Sequence, residues 1–211
     1  MGKREDAQRE KLNRMTEYER IHWERVEMVA GLDEAGRGPL AGPVVAACVI
    51  MPKDDLVLGI DDSKKISEKR REALYDIIRE KAVDCSVSVI DHETIDRINI
   101  LRAARLAFET ALRGLKTRPD HVYTDAMDIE TDIPCTPLVK GDAKVYTIAA
   151  ASIVAKVTRD RIMREYDKQY PQYLFAQHKG YGTKAHYDAI REYGILDIHR
   201  KTFLRKLLGD D

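Results

Sequence analysis

Apolar positions change their period several times along the chain, and each change predicts an element. Val26, Met28, Val29, Ala30 and Leu32 form an apolar run that reads as a buried strand ending on two adjacent acids, Asp33 and Glu34. A glycine-rich turn follows, and Val44 to Ile50 is a β-branched run suited to a second, hairpin-related strand. Beyond a loop over Met51 to Ile60, Ser67 is placed to cap a helix with Glu68 in its first turn and Leu74, Ile77 and Ile78 on one face. Val83, Cys85, Val87 and Val89 then alternate with Asp84, Ser86 and Ser88, which predicts a third strand with one buried face and completes a meander.

Helical spacing takes over in the second half. Ile100, Ala104, Ala107, Phe108, Ala111, Leu112 and Leu115 repeat as one stripe over Asn99 to Lys116, ahead of Pro119. His121 to Thr124 reads as a short strand with Asp125 at its end. A helical crossover makes this strand a parallel neighbour of the first, so Asp125 and Asp33 are expected at one edge of the sheet. An acidic loop over Ala126 to Thr136 leads to a last short strand around Leu138 and Val139, then to Gly141 and Asp142. A long helix from about Val145 to Lys168 is stopped by Tyr170-Pro171. Thr183 caps a further predicted helix, Lys184 to Tyr193, which Gly194 ends.

The two chain ends carry weaker patterns. The first 24 residues mix both charges without a proline, which favours a charged helix whose narrow stripe of Leu12, Met15, Tyr18, Ile21 and His22 lies against the rest. Near the other end, the LRKLL stretch reads as an amphipathic helix that packs. Three segments are expected: a charged helical extension over 1–25, a core over 26–170 and a helical C-terminal element over 171–211.

Composition narrows the picture in three ways. A length of 211 residues fits one domain with an adequate core. Lys plus Arg equals Asp plus Glu at 36 each, so any nucleic-acid surface must be local. Cys48, Cys85 and Cys135 are odd in number and unevenly spaced, which argues against a disulfide framework and a zinc site and makes a reducing cytoplasm the default. With no long apolar span and a charged N-terminus, a soluble, unexported protein away from the membrane is expected.

Candidate chemistry centres on acids. Asp33 and Glu34, at the end of a buried strand, occupy a position costly for an unpartnered charge, and a hard divalent cation such as Mg²⁺ or Mn²⁺ would offset that cost. The glycines that follow let a main chain approach a ligand closely. Each acid also has an ordinary reading: the Asp-Glu pair as the start of a surface turn, Asp125 as a turn residue, Asp142 as a helix cap. Lys64 and Lys65 sit on a loop, free to reach a phosphate or merely to face solvent.

GLDEAGRGPLAGP (Gly31 to Pro43) closely resembles the signature of ribonuclease HII, of the ribonuclease H superfamily. The likeness extends through DSKKISEKRRE (Asp62 to Glu72), KGDAK (Lys140 to Lys144), IAAASIVAKVTRDR (Ile148 to Arg161) and FAQHKGYGTKAH (Phe175 to His186). It implies a ribonuclease H-like α/β fold with a mixed five-stranded sheet flanked by helices and a small helical C-terminal element. It implies an endoribonuclease acting on RNA-DNA hybrids and on DNA duplexes containing ribonucleotides, with a role in ribonucleotide excision repair. Asp33, Glu34, Asp125 and Asp142 then match the family's four acids, which hold two Mn²⁺ or Mg²⁺ ions; one activates water and the other stabilises the leaving oxygen. Gly36, Arg37 and Gly38 match the turn that reads a 2′-hydroxyl, and Tyr181 the tyrosine that senses the junction. Lys64, Lys179, Lys184 and Arg200 are candidate phosphate contacts. Asp160 is either a fifth acid or the partner of a nearby arginine. A monomer is expected. Departures are small: YTDAM precedes the third acid where VDG is common, and LDIHR replaces PSPIHR. Ribonuclease HIII resembles the chain in its acids but has a larger N-terminal domain and lacks the Gly-Arg-Gly turn. A non-catalytic hybrid-binding module would not need all four acids.

Overall fold

The computed structural model describes residues 2–25, 28–205 and 209. Its mixed sheet has five strands in the order β3-β2-β1-β4-β5. β1 (Val29–Ala35), β2 (Val44–Ile50) and β3 (Asp84–Ile90) form the expected antiparallel meander. β4 (His121–Asp125) runs parallel to β1, and β5 (Cys135–Leu138) runs parallel to β4. All seven residues of β2 are buried, because helices cover both faces of the sheet there.

β1 departs from the sequence reading at its far end. Val26 lies outside the described residues, and the strand does not stop at Leu32 but continues through both acids to Ala35. Pairing with β2 carries it on, through Asp33 opposite Ala47, Glu34 opposite Ala46 and Ala35 opposite Val45. On its other side, pairing with β4 ends at Leu32 opposite Thr124. Beyond that pair the two strands open into a fork.

One face is covered by α6 (Tyr146–Gln169) and α3 (Glu68–Lys81), whose Ala149, Ile153, Val154, Leu74 and Ile78 pack on Ala35, Ala47 and Val49. The first turn of α6 presses on β1 so closely that a Cβ on Gly31 would lie 2.2 Å from the Thr147 carbonyl carbon, so only glycine fits. The other face is covered by α5 (Ile100–Arg113), with Ala103, Ala107 and Phe108 fully buried against Ala46, Cys48 and Ile50.

Several local expectations are corrected. Ser67 sits before α3 but its side chain makes no capping bond, and Ile77 faces outward. On β3 the apolar face is covered only at Cys85 and Val87; Val83 and Val89 are exposed, while Ser88 is buried on the α5 side of this edge strand. α4 (His92–Ile98) has no apolar stripe long enough to predict it, and is set by Asp91, which accepts the Thr94 amide at 2.7 Å. Val139 lies beyond β5 and is exposed. In the C-terminal region, α7 (Phe175–His178) and α8 (Lys184–Tyr193) surround a core of Leu40, Tyr173, Phe175 and Ile190. Thr183 caps α8 through the His186 amide as expected. Most of LRKLL, residues 206–208, lies outside the described residues. No described helix is long and apolar enough to cross a membrane.

The N-terminal segment forms two helices, α1 (Lys3–Met15) and α2 (Glu17–Trp23), interrupted at the buried Thr16. Met15 packs into the core and His22 stacks on His121, but Ile21 is 61% exposed, so the predicted stripe is only partly used. A polar contact anchors α2 instead. Glu19 is fully buried, and its Oε1 accepts the Thr147 amide (2.8 Å) and hydroxyl (3.1 Å) at the start of α6. Its Oε2 has no partner among the described residues. Burial outweighs these bonds and pushes the pKa from 4.5 up to about 7.

The folded chain therefore binds this proton more tightly than the unfolded chain, and stability contributed here falls as pH rises from 4.5 through about 7. Glu19→Gln retains the acceptor without the charge. Thermal unfolding should show the glutamine variant gaining on the unaltered protein as pH rises from about 5 to about 8. Glu19→Ala should lose about 1 kcal/mol at the lower pH through the missing cap.

Candidate active site

The residues that follow the last β1–β4 pair are Asp33 and Asp125, which the parallel register places side by side at the mouth of the fork. Asp142 arrives from a single 3₁₀ turn, Gly141–Ala143, entered through Lys140 in a left-handed conformation (φ 58°). Asp125 ties that turn to β4, its Oδ1 accepting the Gly141 amide at 2.7 Å. One carboxylate oxygen from each of Asp33, Asp125 and Asp142 lies within 4.8 Å of the other two. Asp33 and Asp125, far apart in sequence, thus meet at one sheet edge, as the parallel-neighbour reading expected.

Strand alternation sends Glu34 to the opposite face from Asp33, and it stands beside this group rather than within it. Its Oε1 lies 3.5 Å from Arg37 Nη1, and its buried Oε2 has no partner among the described residues. Burial, then the charges of Glu34 and Asp125, hold Asp33 well above the usual carboxylate range. Burial also raises Glu34, with Arg37 opposing and Asp125 adding. Asp142 is raised by burial and by Asp62 and Asp125, against Lys64. Such a donor set suits a hard divalent cation: all oxygen, mutually repelling, and with one buried Glu34 oxygen still unsatisfied.

A cavity of about 370 Å³ opens against the acids, lined by Asp62, Lys64, Lys65, Asp125, Lys140 and Asp142. Lys64 Nζ is 3.7 Å from Asp142 Oδ2, with most of its side chain exposed. Partial burial disfavours its cation, but Asp142, Asp33, Asp62 and Asp125 outweigh that and raise its pKa. The 3₁₀ turn that carries Lys64 (Ser63–Lys65) is fixed by Arg71, which donates to the Ser63 and Ile66 carbonyls and lies 3.7 Å from Asp160. Asp160, buried in α6, pairs with Arg71 and Lys156 and is not among the three acids that gather at the fork.

Past β1, the glycine turn meets the Tyr181 loop. Arg37 and Gly38 are exposed, a Cβ on Gly38 would stand 3.7 Å from Tyr181 Cε1, and Tyr181 is 44% exposed. The phosphate-contact expectations divide. Lys184 is exposed and pairs with Asp188. Lys179 is buried, its amine donating to the Ala176 carbonyl. Arg200 is fully buried and donates to the Gly42, Arg37 and Gly36 carbonyls, so it braces the turn and faces no solvent. Sequence reasoning missed Asp62, beside Asp142, although it forms an acid doublet with Asp61. It also missed Arg159, which occupies a helical position between Ala155 and Met163 on a buried face.

Comparisons with known proteins bear on the family and the fold. A family model, Ribonuclease HII, matches residues 30–206. The Ribonuclease HII of Acetivibrio thermocellus is 50% identical over 202 residues, covering 93% of this chain and 79% of the relative. The crystal structure of the ribonuclease H2 from Pyrococcus horikoshii OT3 superposes with a TM-score of 0.74 at 27% identity, covering 85% of this chain and 96% of that one. Bst-RNase HIII, solved in complex with Mn²⁺, shares the fold at a TM-score of 0.60 and 18% identity, over 83% of this chain and 64% of its own. Ribonucleases HII are endoribonucleases with a ribonuclease H fold that act on RNA-DNA hybrids with divalent metals. Sequence, fold and the gathered carboxylates together place this chain in the ribonuclease HII family.

Proposed function

We propose that this chain hydrolyses the RNA strand of RNA-DNA hybrids and also cuts DNA duplexes at single embedded ribonucleotides. The products carry 5′-phosphate and 3′-hydroxyl ends, and the role is ribonucleotide excision repair by a cytoplasmic monomer. The supporting observation is the meeting of Asp33, Asp125 and Asp142 at the fork, continuous with a glycine turn that faces Tyr181.

In this reading Asp33, Asp125 and Asp142, with Glu34 beside them, hold Mn²⁺ or Mg²⁺. Bound there as a pair, such ions supply an activated water and a counter-charge for the leaving oxygen. The chain's own part is positioning. Asp33 is rooted in a paired strand, and Asp125 holds the Asp142 turn through the Gly141 amide. Lys64 reaches from its exposed turn toward a phosphate, giving affinity without sequence preference. Arg200 occupies the Gly36 and Arg37 carbonyls, while the Arg37 and Gly38 amides have no partner among the described residues. Those N–H groups are the donors left for a ribose 2′-hydroxyl. Tyr181 presents its ring to the sugar beyond it, where an extra hydroxyl would fit less well.

With Mn²⁺ or Mg²⁺, a DNA duplex bearing one ribonucleotide should be cut on the 5′ side of that nucleotide; an intact duplex would refute the proposal. Asp33→Asn should lower turnover by at least about 100-fold. The same variant should unfold a few degrees higher than the unaltered protein without metal, since it removes a buried, repelled charge. Asp33, Glu34 and Asp142 all keep their protons above the usual carboxylate range, and ion binding needs them ionised. The half-saturating Mg²⁺ concentration should therefore rise as pH falls through the range in which these acids take up protons, which lies above that of ordinary carboxylates, by up to about tenfold per unit for each proton displaced. A value that stays constant down to the pH at which ordinary carboxylates titrate would contradict the carboxylate site.

A further inference from the structure

Two buried arginines surround the glycine turn, and neither has a carboxylate partner among the described residues. Arg159 and Arg200 are 1% and 0% exposed, and both appear in no ion pair. Burial lowers Arg159 to about 10 and Arg200 to about 9, which leaves both cationic at neutral pH. An unpaired buried cation is expensive unless its donors are saturated. Here each guanidinium makes three bonds, all to main-chain carbonyls. Arg159 donates to Pro43 (2.9 Å), Ala41 (3.1 Å) and Lys179 (2.9 Å). Arg200 donates to Gly42 (2.9 Å), Arg37 (2.9 Å) and Gly36 (2.6 Å).

These six bonds join four stretches of the chain: the turn, α6, the loop at Lys179 and the segment at Arg200. Arg159 belongs to α6, which packs on β1, and its reach spans the turn and the residue two before Tyr181; its Cζ lies 6.0 Å from the Tyr181 ring centroid. Main-chain bonds seal the same seam, from Leu40 to the Gly180 carbonyl (2.8 Å), Gly42 to Ile198 (2.9 Å) and Arg200 to Leu40 (2.8 Å). There is no slack: at Gly36, with φ +98°, a Cβ would stand 2.0 Å from Arg159 Nε.

We propose that Arg159 and Arg200 are positioning residues for junction selection, fixing the turn and the Tyr181 loop as one rigid reading unit. The inference rests on the function proposed above, in which the turn reads a 2′-hydroxyl and Tyr181 the adjoining deoxyribose. A long hybrid offers many hydroxyls and can be held by the turn alone. An isolated ribonucleotide needs turn and ring at a fixed separation, and misplacement by a fraction of an ångström to one ångström carries a large rate cost.

Arg159→Lys and Arg200→Lys keep the charge but lose the planar fork that reaches three carbonyls at once. kcat/KM should be measured on a duplex with one ribonucleotide and on a continuous RNA-DNA hybrid. The single-ribonucleotide value relative to the hybrid value should fall by about tenfold or more in each variant. Equal losses on both substrates, or no loss, would overturn the inference and leave the arginines as fold-stabilising groups. If the unaltered protein spares the single ribonucleotide, the underlying function fails and the inference falls with it. Should the lysine variants not fold, native-state hydrogen exchange on the unaltered protein decides. The Leu40, Gly42 and Arg200 amides should open as one unit, with protection alike within about threefold; opening at rates more than about tenfold apart would refute a single rigid body.

Discussion

Repulsion among carboxylates that have nowhere to spread is the constraint on which the rest of the molecule depends. Asp33 is buried in a strand paired on one side by β2, and it faces Asp125 where β4 turns away. Asp142 closes the group from a turn that Asp125 itself holds. Left alone, such a cluster favours protonation or unfolding; a hard cation reverses the preference. The scaffold must therefore be rigid enough to hold the group together before any ion arrives. The wholly apolar β2 and the close seat of α6 on Gly31 provide that rigidity.

Around this centre the chain uses cations in two distinct ways. Lys64 stands exposed at the cavity rim, where the acids favour its charge and a phosphate can reach it. Arg159 and Arg200 are withdrawn from solvent and spend their donors on carbonyls of the turn. A lysine has three donors but all on one nitrogen, and could not span carbonyls that Arg200 reaches from Nε, Nη1 and Nη2, so the choice of side chain follows from geometry more than from charge. In the proposed reading, specificity and catalysis rest on different parts of the fold: the sheet edge holds the acids, and the arginine-braced turn carries the groups proposed to read the sugar.

Much of this was legible in the sequence because it is written in periodicity. The fully apolar β2 and the alanine-rich stripe of α5 each announce a pattern that burial then confirms, whereas the alternation of β3 announces a strand without saying which of its residues are covered. Convergence of Asp33 with Asp125 followed from one rule about parallel neighbours. Less legible was anything set by tertiary contact. β1 overran its predicted end because β2 kept pairing with it, which no local pattern states. Arg200 looked like a phosphate contact because an arginine in a basic segment usually faces water; its burial depends on carbonyls over 150 residues away. Glu19 looked like one more charge on a solvated helix, and only the start of α6 gives it a partner.

Anomalous diffraction from crystals soaked in Mn²⁺ tests the central claim most directly. Two ion peaks are expected at the mouth of the fork, coordinated by oxygens of Asp33, Asp125 and Asp142 with Glu34 as a further ligand. Mn²⁺ bound elsewhere, with those carboxylates unliganded at concentrations that saturate activity, would contradict it.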